Sequence, residues 1–581
     1  MTVPFAEPVQ EPCSFPLGQS LPLNDIHAVS VSIPTWDTIV RYMKGDEAVH
    51  GKLQADYPRF SQHAIVSQLN DAVLARAEAA DCMRCMVFTS KEGMRRCVNH
   101  LSKSGDMPSP AQELEFRLPS SVRGETATWS QFFAVLFHQK SKQHADEYWG
   151  VSGDGISSRH AEFCLAMFPF MSSEALDHCS LPSKDACVDL ERLPRVPWDH
   201  SDSSTKEKIK SLIARWVTSE KAGQEPVRPE SVFLYPKGMC AIGTLARTLV
   251  PASSGRSEAV VFGWPYGSTP KSVKGSGYER FTFHDQGSSD ELDQLEASLA
   301  TGRLISCLFC EVPSNPQCTT PDLHRIRRLA DQYHFVVICD ETIGTFVNVD
   351  VLPYVDVVVT SLTKIFSGGC NVMGGSVVLN TQSPFYRHLH DTLSATYEDL
   401  IYPLDASVIL HNCSNFPERV QKANRNGMAL AKLLKASGSI SHVNYPSMVA
   451  TTPLYERYRR PDGGYGSLIS IVFKNPDSAV RFYNMIDLCK GPSFGANFTL
   501  VLPYSQLAHA FELEWAESKG LAKHIVRISV GIEEESILLS RVAQALREVE
   551  GFEKSPMLPL QPDYPVKMAQ GTTSLCIDTP V

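Results

Sequence analysis

The sequence predicts an α/β fold: a largely parallel sheet covered on both faces, followed by a smaller α+β unit. Two observations carry this expectation. From residue 231 onward, short apolar runs recur at 231–235, 258–262, 304–309, 335–339, 355–359 and 376–379, with helical patterns between several of them. After about residue 400 a long helical segment is followed by isolated strands and a closing amphipathic helix. A chain of 581 residues is also too long for one ordinary domain.

Taken in order, residues 1–24 carry Pro4, Pro8, Pro12, Pro16 and Pro22 and read as a mobile lead-in. Residues 25–204 form an N-terminal region with a helical stretch near 65–78, a polar, proline-containing segment near 102–125 and no catalytic pattern of their own. Ser203 or Ser204 is placed to cap a helix running to about Val217. The large domain is expected over 205–400. Its helices include 290–299, where Leu292, Leu295 and Leu299 share a face, and 322–333, where Leu323, Ile326, Leu329 and Ala330 do the same after Thr320-Pro321. The C-terminal unit, 401–553, reads as a helix from 405 to about 435, a strand at 468–473, a helix at 477–487, a strand at 524–530 and a helix at 534–549. Residues 554–581 are a proline-rich tail.

Composition narrows the function classes. The chain is 43% hydrophobic and 20% charged, with a net charge of −10, which gives no reason to expect a nucleic-acid or anionic-membrane partner. No run reaches the roughly 18 apolar residues of a membrane helix, and the N-terminus has no secretory pattern, so the expected location is the cytoplasm. Several of the 16 cysteines, such as Cys307, Cys310 and Cys339, sit in strand-like runs, as buried thiols of a reducing compartment do. Cys82-Met83-Arg84-Cys85 has no second pair at zinc spacing; it reads as two ordinary thiols on a helix, and no metal site is expected.

One lysine concentrates the chemistry. Lys364 lies in Thr360-Ser361-Leu362-Thr363-Lys364, after the apolar run 355–359 and ahead of a glycine-rich loop, and Asp340 closes the preceding apolar run. Both positions are carboxyl ends of predicted strands, where ligands of parallel sheets bind. Alone, Lys364 would be an ordinary surface lysine. In this frame it suits pyridoxal phosphate (PLP): the lysine for the Schiff base, Ser361 and Thr363 for the phosphate, Asp340 to keep the pyridine nitrogen protonated. Gly238 and Met239 open a helix directly after a strand and add an anion site, though a tight turn would read the same way. Tyr266 is placed to lie on the pyridine ring, and Asn315 to hydrogen-bond the cofactor; either could instead be simple loop chemistry. On the run 524–530, Val526, Ile528 and Val530 share one face, leaving Arg527 on the other for bidentate carboxylate capture or a structural ion pair.

These pieces resemble, in order and spacing, the Cys/Met-metabolism family of PLP enzymes, and most of all its fungal cystathionine γ-synthases. The segments are HAVSVSIPTW (27–36), YPRF (57–60), YPKGM (235–239), FGWPYGST (262–269), LFCEVPSNP (308–316), the stretch 340–364, MGGSVVLN (373–380) and IVRISVGIEE (525–534). The resemblance implies a fold-type I, aspartate-aminotransferase-like architecture, active as a homodimer or homotetramer with shared sites. It implies catalytic roles for Lys364, Asp340, Tyr266 and Tyr57. Gly238, Met239, Ser361, Thr363 and Asn315 would hold the cofactor, and Arg527, Asn315 and Thr499 the substrate. Tyr57 and Arg59 would reach the phosphate of the neighbouring subunit. Three positions depart from the family pattern: Lys237, where a small residue is usual, Cys370 and Ala510.

The implied activity is γ-substitution on O-acyl-L-homoserine through a vinylglycine ketimine, with cysteine as default nucleophile. A specialised-metabolism paralogue using a carbon nucleophile and a cystathionine or methionine lyase are the alternatives.

Overall fold

The computed structural model describes residues 14–103, 110–122, 124–176, 204–250 and 257–554. Ser203, most of the expected lead-in and the expected tail from residue 555 lie outside them. The lead-in ends earlier than the prolines suggest. Strand β1 (Ser20–Leu21) pairs with β2 (Ser30–Val31), and the Ser14 amide donates to the Asp487 carboxylate at 2.9 Å. Val31, Ile33, Trp36, Ile39 and Tyr42 are buried in the core of the C-terminal unit, so the segment after β2 is a strap across that unit.

Residues 64–176 form a separate layer. Strands β3 (Met83–Phe88), β4 (Gln112–Arg117), β5 (Phe132–His138) and β6 (Ser172–Ala175) make an antiparallel sheet in the order β3-β5-β4-β6. The helices Ala64–Arg76, Lys91–Lys103, Glu125–Ser130, Lys142–Ser152 and Ser158–Met167 accompany it. The Cys82–Cys85 pair is therefore not helical. Cys85 is buried on β3, whose Met86, Val87 and Phe88 are fully buried, because a run of large apolar residues in an extended chain covers both faces of a sheet.

The large sheet has seven strands: β7 (Val232–Tyr235), β8 (Glu258–Phe262), β9 (Arg280–His284), β10 (Cys307–Glu311), β11 (Val336–Asp340), β12 (Val357–Thr360) and β13 (Gly375–Leu379). Their order is β7-β13-β12-β11-β10-β8-β9. Neighbours from β8 to β12 run parallel, and β13 runs antiparallel to both β12 and β7. Alternation sends Val260, Leu308, Val337 and Val358 into one core, where Ile209, Leu295 and Leu329 of flanking helices meet them. Val261, Phe309, Ile338 and Val359 enter the opposite core, against Ala241 and Leu245 of the helix Gly238–Thr248. The helix Ser204–Val217 ends where the sequence predicts. Strand β9 goes unread in the sequence because Arg280, Thr282 and His284 alternate with two phenylalanines on a half-exposed edge.

The C-terminal unit holds β14 (Ile440–Asn444), β15 (Leu468–Phe473), β16 (Cys489–Lys490), β17 (Leu500–Pro503) and β18 (Val526–Ser529), ordered β14-β15-β18-β17-β16. The single helix expected over 405–435 is two, Pro403–Asn412 and Phe416–Ala436, broken ahead of Pro417 in the first turn of the second. Among the described residues no helix is long and apolar enough to cross a membrane.

Candidate active site

A cleft of about 770 Å³ opens at the carboxyl ends of β10, β11 and β12, lined by residues from every part of the chain. Lys364 sits at its centre, buried, in the turn that leaves β12. Its Nζ donates to the Tyr57 hydroxyl and to Ser493 Oγ, both at 2.9 Å. Burial alone would raise the Tyr57 pKa; the positive charges of Lys364, Arg59 and Arg527 outweigh it and hold the phenol below its ordinary value. Ser493, with a left-handed φ of 82°, carries no recognisable motif and went unread in the sequence.

Asp340 ends β11 with its carboxylate on the cleft. Burial raises its pKa, and hydrogen bonds from the Thr342 amide (2.9 Å) and hydroxyl (2.6 Å) offset this in part. Glu311 stands in register beside it on β10, pushed well up by burial and then by Asp340. It accepts the Tyr266 amide at 2.6 Å and so fixes the loop that carries that ring. The Tyr266 hydroxyl lies 3.5 Å from that of Tyr57, and the Arg59 guanidinium sits 4.2 Å over the Tyr266 ring.

The helix Gly238–Thr248 starts at the cleft with no side chain capping it, leaving its first-turn N–H groups for an anion. Ser361 faces this turn so closely that a Cβ on Gly238 would fall 2.8 Å from the Ser361 Cβ. Thr363 lines the cleft, but its hydroxyl accepts from the Gly374 amide (3.1 Å) and donates to the Gly374 carbonyl (3.3 Å), so among the described residues Ser361 has the free hydroxyl of the two. Gly238→Ala must displace Ser361 or the helix start. The expected result is at least about tenfold weaker cofactor retention on dialysis, roughly 1.4 kcal/mol, with the fold intact by circular dichroism; unchanged retention would remove Gly238 from the cradle.

Arg527 projects from β18 on the face opposite Val526 and Ile528, as its alternation predicts. Its guanidinium donates to the Ser493 carbonyl at 2.6 Å and to Asn315 Oδ1 at 3.3 Å. The Phe494 and Tyr504 rings flank it at 5.3 and 5.1 Å. Asn315 Nδ2 is buried and lacks a protein acceptor. An orphaned amide donor, a buried carboxylate bonded by one threonine, an open helix N-terminus and a buried lysine together fit PLP, whose phenolic oxygen, ring nitrogen, phosphate and aldehyde call for those groups.

One expectation is not met. Thr499 is not brought to the cleft: its hydroxyl donates to Glu533 at 3.0 Å and accepts the Gly531 amide at 3.0 Å, bracing the C-terminal loop. Within the described chain Tyr57 and Arg59 both enter the cleft that holds Lys364. Arg59 Nε donates to the Gly150 carbonyl at 3.0 Å, and its Nη2 to the Ser268 hydroxyl. Of the departing positions, Lys237 is buried at the cleft, donates to the Gly155 carbonyl at 2.9 Å, and is pulled down to about 8 by burial. Cys370 packs in an apolar cluster with Leu21, Val29 and Cys489.

Residues 225–547 match the family described as Cys/Met metabolism PLP-dependent enzyme, and residues 65–157 match the fungal trans-sulfuration enzyme N-terminal domain. The chain is 48% identical to the cystathionine gamma-synthase-like protein ankD of Aspergillus thermomutatus, over 93% of this chain and 95% of that one. It is 33% identical to the cystathionine gamma-synthase of Neurospora crassa, over 93% of this chain and 100% of the relative. Among solved structures, a cystathionine gamma synthase from Xanthomonas oryzae pv. oryzae matches with a TM-score of 0.51 at 22% identity, over 63% of this chain and 91% of that one. That likeness is one of fold.

Proposed function

The chain belongs to the Cys/Met-metabolism family of PLP-dependent enzymes, and on that premise we propose that it catalyses γ-substitution on an O-acyl-L-homoserine, with cysteine as the default nucleophile. One observation carries the reading: Ser493 holds two cations, Lys364 through its hydroxyl and Arg527 through its carbonyl. A group that clamps a carboxylate and a group that moves protons are thereby set side by side, as an α-amino acid requires.

Arg527 would receive the substrate α-carboxylate through two parallel N–H bonds. Phe494 and Tyr504, against its guanidinium, keep water from that pairing. Tyr57, with its lowered pKa, would take a proton from the incoming ammonium. Lys364 Nζ would then remove the Cα proton and return protons as the reaction closes. Bound PLP supplies an electron sink for the negative charge that develops at Cα and Cβ. Asp340 would hold the ring nitrogen, Asn315 the phenolic oxygen, Tyr266 the ring face, and Gly238, Met239, Ser361 and Arg59 the phosphate. The acyloxy group leaves Cγ as a carboxylate, and the cysteine thiolate bonds to Cγ; acylhomoserine and cysteine become cystathionine and the free acid.

A second reading has its own support. Identity to the synthase-like ankD, 48%, exceeds identity to the Neurospora synthase, 33%, and Lys237 beside the anion cradle departs from the family pattern. Both favour a paralogue over the primary synthase, and we take a carbon nucleophile that forms a C–C bond at Cγ as the reaction such a paralogue would perform. Mass spectrometry of products from O-acetylhomoserine offered cysteine, sulfide and a β-keto acid together separates the two. Cystathionine supports the first reading and a carbon adduct the second. Oxobutanoate and ammonia with no adduct would mean a lyase and overturn both. A cytoplasmic location fits the buried thiols of Cys307, Cys310, Cys318 and Cys339, none of them in a disulfide.

A further inference from the structure

We propose that Lys237 is a further cofactor-binding residue, whose ammonium supplies positive charge to the phosphate end of the cleft. The inference rests on the reading above that Gly238, Met239 and Ser361 hold the phosphate of PLP. A phosphate monoester carries about 1.5 to 2 negative charges at neutral pH. The helix start and the Ser361 hydroxyl bring only dipoles to it. Lys237 directly precedes Gly238, as the N-cap residue of the helix Gly238–Thr248, and its side chain does not cap that helix. It lines the cleft together with Trp149, Gly238, Met239 and Ser361. The family pattern has a small residue at this position, so this charge is one that the pattern does not supply.

The surroundings of the ammonium orient it without neutralising it. It donates to the Gly155 carbonyl at 2.9 Å and lies 4.7 Å over the Trp149 ring. That ring is itself fixed, because its indole N–H donates to the Pro58 carbonyl at 2.7 Å. The ammonium pairs with no carboxylate among the described residues. Two carboxylates act on it from farther away, Asp154 after the helix Lys142–Ser152 and Asp405 on the helix Pro403–Asn412, and both are already engaged. Asp154 takes two bonds from Arg96, each at 2.9 Å, and one from the Tyr148 hydroxyl. Asp405 pairs with Arg159 at 3.1 Å and takes the Ser157 hydroxyl. On Lys237's own helix the Cys240 thiol faces it, pushed up to about 12 by burial and so neutral. Tyr57, Arg59 and Lys364 line the same cleft. A buried ammonium without a counter-charge is costly, and an anion at the helix start offsets that cost. Burial pulls the Lys237 ammonium down to about 8 in the empty cleft, and a bound phosphate raises it again. Cofactor binding therefore takes up a proton above pH 8: affinity is full below that value and falls as pH rises through it.

The test compares affinities of the full-length protein freed of PLP, measured by fluorescence titration with PLP and with pyridoxal, which lacks the phosphate, and by competition with inorganic phosphate. Lys237→Met keeps the apolar stem and removes the charge. Lys237→Arg keeps the charge and does not titrate in this range. Lys237→Met is expected to weaken PLP and inorganic phosphate by about tenfold or more and to leave pyridoxal unchanged. Between pH 7 and 9.5 the preference of wild type for PLP over pyridoxal should fall, while Lys237→Arg holds it level. A wild-type preference for PLP over pyridoxal in Lys237→Met would overturn the inference and leave Lys237 as a tether for Gly155 and Trp149. If Lys237→Met does not fold, the pH comparison decides: the same fall in wild type and Lys237→Arg overturns the inference. Gly238→Ala separates this inference from the reading beneath it. Unchanged PLP retention in that variant takes the phosphate away from this helix, and both fall. Weakened retention there, with a wild-type preference in Lys237→Met, removes Lys237 alone.

Discussion

Lys364→Ala is expected to lower turnover by about three orders of magnitude or more and to erase the visible absorbance of lysine-bound cofactor, while leaving thermal stability unchanged or slightly raised. Loss of a proton-transfer group alone costs about 10²- to 10⁴-fold, and the same amine is the point of covalent attachment. Stability should move the other way because the ammonium is buried among the Tyr57 hydroxyl, the Ser493 hydroxyl and two aromatic rings, with no carboxylate against it among the described residues. Removing a buried charge that lacks an opposite charge relieves a desolvation cost. A scan of unfolding beside a stopped assay separates the two effects. A variant that is inactive because it is unfolded, or one that keeps within tenfold of wild-type turnover, would remove Lys364 from the centre of the mechanism. Adding a small primary amine to the folded variant should restore part of the rate if proton movement is what was lost.

The residues that could be read from sequence share a property: the side chain bears the chemistry and sits in or just after a strand-like run. Asp340 closes an apolar run, Lys364 follows one within a few residues, and Arg527 interrupts an apolar alternation, and a charge in such a place demands a partner. Strands buried on both faces, such as β8, β11 and β12, were legible for the same reason, since their runs are almost wholly apolar. What escaped depends on contacts between distant segments. Ser493 matters because its hydroxyl and carbonyl meet Lys364 and Arg527, 129 and 34 positions away. Trp149 matters through an indole N–H on a backbone carbonyl 91 positions earlier. Neither makes a local pattern. The four-stranded layer went unread as a sheet; its place at the cleft comes from the backbone of Gly150, Gly153 and Gly155, and a glycine's backbone leaves no chemical signature in sequence. Thr499 erred in the opposite sense, being a hydroxyl near the right segment whose bonds are already taken by Glu533 and Gly531.

Arg527→Leu is expected to raise KM for an amino-acid substrate by about two to three orders of magnitude, with a smaller fall in kcat. Each hydrogen bond to a charged group contributes about 1.5–3 kcal/mol, and a bidentate clamp makes two. The leucine also strands the Asn315 Oδ1 and the Ser493 carbonyl that Arg527 now satisfies, and because Ser493 holds Lys364 as well, part of the loss should appear in kcat. Arg527→Lys separates these contributions. It keeps the positive charge and one donor to Ser493 but cannot bridge two oxygens, so it should recover kcat more fully than KM. The decisive comparison uses the substrate against its α-carboxamide. Wild type should prefer the carboxylate by a large factor, and Arg527→Leu should lose most of that preference, since the group that distinguishes the two is gone. If both variants keep the wild-type ratio of kcat/KM for acid over amide, Arg527 is a structural arginine and the carboxylate is held elsewhere in the cleft. Its burial between the Phe494 and Tyr504 rings argues against that outcome. A guanidinium whose acceptors are one backbone carbonyl and one side-chain amide oxygen, with no carboxylate partner among the described residues and desolvated enough that burial lowers its pKa, is costly unless an anion arrives to share the site.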